Sequence, residues 1–172
     1  MKKLATLLLL SSLFAGFSYA QTSDSPDPTP EFKETQMTQA RMVEIIRELV
    51  EETEGPDNSL SFTYDGIAIT MVSDVNANRM RLLAAVIDAE QLAEEQMLAT
   101  LVSNYHLALD ARYAIGGNVL YSTYIHPLSP LTKEQLLSGV RQVANLSKTF
   151  GSTYSSGEMS FGVQIQEERL DI

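Results

Sequence analysis

A largely apolar run from Met80 to Ile87 constrains this chain more than any other feature. Met80, Leu82, Ala84 and Val86 alternate with Leu83, Ala85 and Ile87, so an extended backbone presents apolar side chains on both faces. A short segment of that kind predicts an interior strand covered on both sides. At Asp88 the period changes. Asp88 has the chemistry of a helix N-cap, Gln91 is spaced to reach back to it, and Ile87 and Leu92 hold the positions of a hydrophobic staple. Leu98, Leu101, Val102, Tyr105 and Leu109 then recur at helical spacing and predict an amphipathic middle helix.

The flanking segments complete an alternation of helix and strand. Met37 to Glu54 predicts a first helix, with Met42, Ile45, Ile46, Leu49 and Val50 on one stripe and Gly55-Pro56 as its stop. On its polar side, Glu44 and Glu48 repel mildly while Glu44 attracts Arg47. Leu60 to Asp65 and Ile67 to Ser73 alternate as strands around Asp65-Gly66, a two-residue turn that needs positive φ. With Asp74 to Asn78 as a second turn, these two strands and the apolar run form a meander. Ala111 to Ile115 and Val119 to Ile125 flank Gly116-Gly117-Asn118 as a later hairpin. Thr132 then caps a third helix, with Gln135 at N3 and Leu131 and Leu136 as a staple, and Gly151 ends it. Its expected buried side is Leu136, Leu137, Val140, Val143, Ala144 and Phe150.

The predicted fold is α+β, a single domain of order α-β-β-β-α-β-β-α, with a five-stranded antiparallel sheet packed with three helices. The domain spans residues 36–151. Residues 1–20 read as a secretory signal peptide: Lys2 and Lys3, an apolar run from Leu4 to Phe17, then Ser18-Tyr19-Ala20 before Gln21. That run is shorter than the roughly 20 residues a membrane-spanning helix needs, and no cysteine stands at the cleavage point for lipidation. The expected location is therefore periplasmic or secreted, with cleavage after Ala20 and no stable membrane insertion. Residues 21–35, rich in Pro, Ser, Thr and Asp with only Phe32 to bury, read as a disordered linker. Residues 152–172 read as a Ser/Gly-rich linker and a loosely held tail, or an extra edge strand through Phe161, Val163 and Ile165.

A formal net charge of −10 argues against a nucleic-acid partner, which requires clustered Lys and Arg. With no cysteine there is no disulfide, no thiolate nucleophile and no Cys-based metal site. Glu48, Glu51, Glu52 and Glu54 read as a solvated face without a ligand loop. His106 and Asp110 share i,i+4 spacing, and with His126 they define an alternative reading as a periplasmic hydrolase or metal-dependent enzyme. No Gly-x-Ser-x-Gly supports a nucleophile, and Gly116-Gly117 suits a hairpin better than a phosphate loop. Asn145-Leu146-Ser147 fits a glycosylation acceptor but lies inside a predicted helix. Arg112 reads as a member of a structural ion pair, or as a holder of a partner's carboxylate. The reading favoured is non-catalytic, with no cofactor and no metal.

Three stretches carry a family resemblance: RMRLLAAVI, AEEQMLATLVSNYHLALDARYAI and GGNVLYSTYIHPLSPLTKEQLLSGVRQVANLSKTFG. Asn104 at the end of the middle helix, the Arg112-Tyr113 pair, and Leu131-Thr132-Lys133-Glu134-Gln135-Leu136 after the Pro-bearing turn are its marks. The chain resembles the type III secretion chaperone-like (Tir-chaperone) superfamily, including its YbjN-type sensory-transduction-regulator branch. The resemblance implies a small α+β protein, commonly homodimeric, that binds another polypeptide. Secretion chaperones of that family work in the cytosol, so for an exported chain only binding and dimerisation carry over. The expected dimer or partner surface is Met97, Leu101, Tyr105, Tyr113 and Tyr121, with partner segments lying on apolar surface or extending a sheet edge; the alternative for Leu101 is a place in the monomer core.

Overall fold

The computed structural model describes residues 36–157. The signal-peptide, linker and tail expectations, including Phe32, Phe161, Val163 and Ile165, lie outside the described residues. Three helices and six strands follow in the order α1 (Gln39–Leu49), β1 (Thr53–Glu54), β2 (Ser59–Tyr64), β3 (Ile67–Asp74), β4 (Arg79–Asp88), α2 (Glu94–His106), β5 (Arg112–Gly116), β6 (Val119–Pro127) and α3 (Lys133–Thr149). All strand pairs are antiparallel, in spatial order β1-β2-β3-β4-β6-β5. The α+β class and antiparallel sheet are as expected, but the described residues form six strands and not five. The additional strand is β1. Val50 leaves the helix with an extended backbone, so α1 ends at Leu49, well short of Gly55-Pro56, and Thr53–Glu54 pair with β2.

Local chemistry explains most boundaries. The Thr38 hydroxyl accepts from the Arg41 N–H at 3.1 Å and starts α1. Asp65 and Gly66 both adopt positive φ, 50° and 79°, which joins β2 to β3 in the tight turn their residue types favour. At α3 the capping box is complete: the Gln135 N–H donates to the Thr132 hydroxyl at 3.1 Å, and the Gln135 side chain accepts from the Thr132 N–H at 2.9 Å. Leu131 and Leu136, the staple pair, are both buried.

Asp88 behaves differently from the sequence expectation. Pairing between β4 and β6 continues through Asp88↔Val119, so Asp88 is still strand, and its side chain makes no capping bond to the short 3-10 turn at Ala89–Gln91. The α2 helix begins one turn later, where the Gln96 side chain accepts from the Ala93 N–H at 3.1 Å. On α1, Glu44 pairs with Arg41 at 2.5 Å, while Arg47 reaches Asp57 at 3.3 Å.

One face of the sheet holds the core. Leu60, Phe62, Ile69, Met71, Met80, Leu82, Ala84, Leu120 and Tyr124 point there, against Met42, Ile45 and Ile46 of α1 and Leu136, Val140, Val143 and Leu146 of α3. Each large side chain buried this way contributes about 1.5–3 kcal/mol before conformational entropy is subtracted. Polar groups inside are paired. The Ser122 hydroxyl donates to the Val143 carbonyl at 2.9 Å, and no buried side-chain N or O among the described residues lacks a partner.

The strand β4 is interior in sheet order but covered on one face only. Met80, Leu82 and Ala84 are buried, whereas Leu83 is half-buried and Ala85 exposed. Both helices α1 and α3 contribute to the core on the first face, whereas on the second Val72, Arg81 and Ile125 are exposed.

Candidate partner-binding surface

Helix α2 presents its apolar side outward. Met97, Leu98, Leu101, Val102 and Tyr105 are exposed, with Leu101 at 61% and Tyr105 at 80%. Its fully buried residues are Thr100 and Ser103. Both are held by backbone carbonyls: the Thr100 hydroxyl donates to Met97 at 2.7 Å, and the Ser103 hydroxyl to Tyr154 at 2.5 Å. The adjoining Asn104 binds β5, its carboxamide accepting from the Tyr113 N–H at 2.7 Å and donating to the Tyr113 carbonyl at 3.1 Å. A helix docked through hydrogen-bonding groups with its long apolar side chains in water inverts the usual amphipathic arrangement. Such a contiguous apolar patch marks an interaction surface on a soluble protein.

The segment after α3 secures this placement. Residues 152–157, expected as a linker, are docked. Ser156 is fully buried, donating from its N–H and hydroxyl to the Leu107 carbonyl at 3.1 and 3.0 Å, while its own carbonyl accepts from Asn145 at 2.8 Å.

Of the five residues expected on the surface, Met97, Leu101 and Tyr105 lie together on the outer side of α2. Tyr121 is half-buried on β6. Strand alternation places it on the uncovered sheet face beside Ala85 and Ala114. Tyr113 does not belong to the surface. Only 5% exposed, it points into the core, where its hydroxyl donates to the Leu146 carbonyl at 2.6 Å and its ring meets Phe150 and Tyr154. Burial raises the Tyr113 pKa well above the usual tyrosine range.

Val72 and Ile125, exposed on the second face of the sheet, were not in the expected set. Their signal was alternation in the flanking strands combined with apolar residues on both sides of β4.

The chemical candidates are dispersed. His106 is the last residue of α2, and Asp110 lies beyond the helix, past Leu109 with φ of 56°, so the i,i+4 relation is lost. His126 stacks on Tyr124 with ring centroids 5.9 Å apart, and its Nδ1 is 2.7 Å from the Pro127 carbonyl. Among the described residues no three of His, Asp and Glu cluster closely enough to hold a metal ion. Nor is any helix there long and apolar enough to cross a membrane. Among the described residues Arg112 enters no ion pair; its guanidinium donates to the Leu109 and Ala111 carbonyls.

Comparison with solved structures places the fold. One match is to the crystal structure of the Yersinia pestis type III secretion chaperone SycH in complex with a stable fragment of YscM2. Its TM-score is 0.51 at 17% identity, covering 66% of this chain and 99% of that one. The fold is that of a type III secretion chaperone. Chains of the ExsC–ExsE complex (TM-score 0.49, 14% identity, 64% of this chain and 87% of that one) and the HopA1–SchA chaperone–effector complex (0.49, 12%, 62% and 87%) also match. No family profile and no curated protein sequence matches the chain. Among the described residues, exposed apolar side chains lie on the outward side of α2 and, at Val72 and Ile125, on the second face of the sheet.

Proposed function

We propose that this chain is an exported, non-catalytic, chaperone-like module that binds another polypeptide and works as a homodimer, within the YbjN-type branch that its sequence resembles. One observation carries the reading. Five long apolar side chains of α2 face solvent while its Thr100, Ser103 and Asn104 face the protein. A second copy of α2 satisfies that surface in an isologous contact, Met97, Leu101 and Tyr105 of each copy meeting their counterparts. Ile115, half exposed on the hairpin of β5 and β6, is a further apolar side chain in solvent. A stable interface buries about 800 Å² per partner, and aromatic anchors such as Tyr105 are the usual centres of binding energy. Export rests on the Lys2-Lys3, apolar and Ser18-Tyr19-Ala20 order of the N-terminus.

A photo-crosslinking amino acid at Tyr105 tests the reading in living cells. The proposal expects a crosslinked species of twice the chain mass in the periplasmic fraction, with the processed chain starting at Gln21. Capture of no second copy, or an unprocessed chain retained in the cytosol, contradicts it.

A further inference from the structure

Helix α2 carries opposite charge at its two ends. Glu94 and Glu95 lie in its first turn and His106 in its last, where the helix dipole favours each sign. Both glutamates are exposed and His106 is half-buried. At about 100° per residue, Glu94 stands two turns before Leu101 and within roughly 20° of the same line, so it belongs to the outward apolar side. Glu95 and His106 fall three turns apart and within roughly 20° of each other, on one flank of that side.

This distribution selects how two copies of α2 meet. The exposed apolar side chains from Met97 to Tyr105 centre on Leu101. A parallel two-fold contact sets Glu94 against its own counterpart within the seam, like charge on like. An antiparallel contact about Leu101 sends the two pairs of glutamates to opposite ends, opposes the helix dipoles and leaves each flank facing the same flank of the other copy. With a rise of about 1.5 Å per residue, Glu95 lies about 9 Å to one side of Leu101 and His106 about 7.5 Å to the other. Each Glu95 is then level with the His106 of the second copy.

We propose, resting on the homodimer described above, that the α2 helices pack antiparallel and that Glu95 of each copy pairs with His106 of the other, so that association tightens as pH falls. Among the described residues His106 makes no hydrogen bond or ion pair, and its ring contact is Tyr105, edge-on at 4.6 Å. From β5 and the segment after α3, which bind α2, the titratable and charged groups are Arg112, Tyr113 and Tyr154. Arginine and tyrosine side chains keep one charge state between about pH 6 and 8, and Arg112 is held by the Leu109 and Ala111 carbonyls. Asp110, beyond the helix, is 3.5 Å from the Gln142 amide nitrogen. The charges that accompany Glu95 at its end of the helix are Glu94 and Glu90, both acidic. A carboxylate beside the imidazole favours its charged form, so the dimer keeps the His106 proton to a higher pH than the single chain does. The gain in association is complete below the titration of the single chain and is lost as pH rises through that of the dimer.

Dissociation constants of the dimer, measured on the whole chain by sedimentation equilibrium at about pH 6 and about pH 8, test this. Two exposed pairs predict association roughly 2- to 30-fold tighter at the lower pH. His106→Gln and Glu95→Gln should each stay dimeric and lose the difference, with His126 retained in both as an internal control. Glu95→His combined with His106→Glu should restore it. The absence of cysteine supplies a second readout. A short thiol crosslinker should join a Glu95→Cys chain to a His106→Cys chain of distinguishable mass, and neither to itself. A dimeric parent with equal constants at both pH values overturns the inference, as does a difference that survives Glu95→Gln or a dimer in which the mixed pair is not joined. A parent of one chain at both pH values refutes the α2 homodimer itself, so the two failures are told apart by mass.

Discussion

The ring of Tyr124 presses on the backbone of Gly139: a Cβ at that position would stand 2.9 Å from Cδ1 and 3.0 Å from both Cγ and Cε1. The absence of a side chain at Gly139 is therefore what lets α3 approach β6 closely. Gly139→Ala gains helix propensity but forces a buried ring to move, and overpacking of this kind costs about 1–3 kcal/mol. Urea denaturation should show that loss. An unchanged or raised midpoint would show that the ring yields freely.

Tyr124 also makes stability sensitive to alkali. Burial, and secondarily the charge of Asp110, pushes its pKa up to about 12 from the usual 10.0. The folded state thus keeps a proton that the unfolded chain releases above pH 10. Its contribution is complete below pH 10 and is lost as the pH rises towards 12, with Tyr113 acting in the same direction. Each fully coupled tyrosine steepens the decline by up to about 1.4 kcal/mol per pH unit. Unfolding free energies measured between pH 9 and 11.5 should fall, and Tyr124→Phe should fall less steeply than the parent. Parallel profiles would assign the alkaline loss to other groups.

Elements whose signals are local in sequence were legible. The Thr132–Gln135 box and the Asp65-Gly66 turn depend on residues three or fewer positions apart, and both form as their residue types dictate. Asp88 failed as a cap because cross-strand pairing to Val119 held the backbone extended, a tertiary effect absent from the local pattern. The two-residue β1 was invisible because pairing with Phe62 and Ser61, rather than propensity, makes it a strand. At the candidate surface, helical spacing found Met97, Leu101 and Tyr105 but not the direction in which they point. That direction is set by Ser103 and Asn104, whose partners Tyr154 and Tyr113 lie 51 and 9 residues away.

Asn104 should therefore be costly to replace. Asn104→Ala leaves the Tyr113 N–H and carbonyl without their partner, and each unpaired group costs about 1–3 kcal/mol where water cannot replace the bond. Asn104→Asp keeps the acceptor and loses the donor, so its loss should be smaller. Amide exchange at Tyr113 should accelerate in the Ala variant. Unchanged exchange there would mean that water substitutes fully for the carboxamide.

Gln142 performs a parallel task from α3. Fully buried, its Oε1 accepts from the N–H groups of Asp110 and Ala111 at 2.9 and 3.0 Å, holding the entry to β5, and its Nε2 donates to Ser138 at 3.1 Å. Gln142→Leu preserves volume but orphans two backbone donors, so a loss of about 2–4 kcal/mol is expected in chemical denaturation. A loss under 1 kcal/mol would show that the β5 entry is held by other contacts.

Molecular mass in solution, by light scattering coupled to size exclusion, tests the α2 surface most directly. The parent should elute as two chains. Leu101→Lys combined with Tyr105→Lys should elute as one, with its circular dichroism intact because both side chains are exposed in the single chain. A parent of one chain, or a folded double variant that still weighs two, would contradict the assignment of α2 as the homodimer interface.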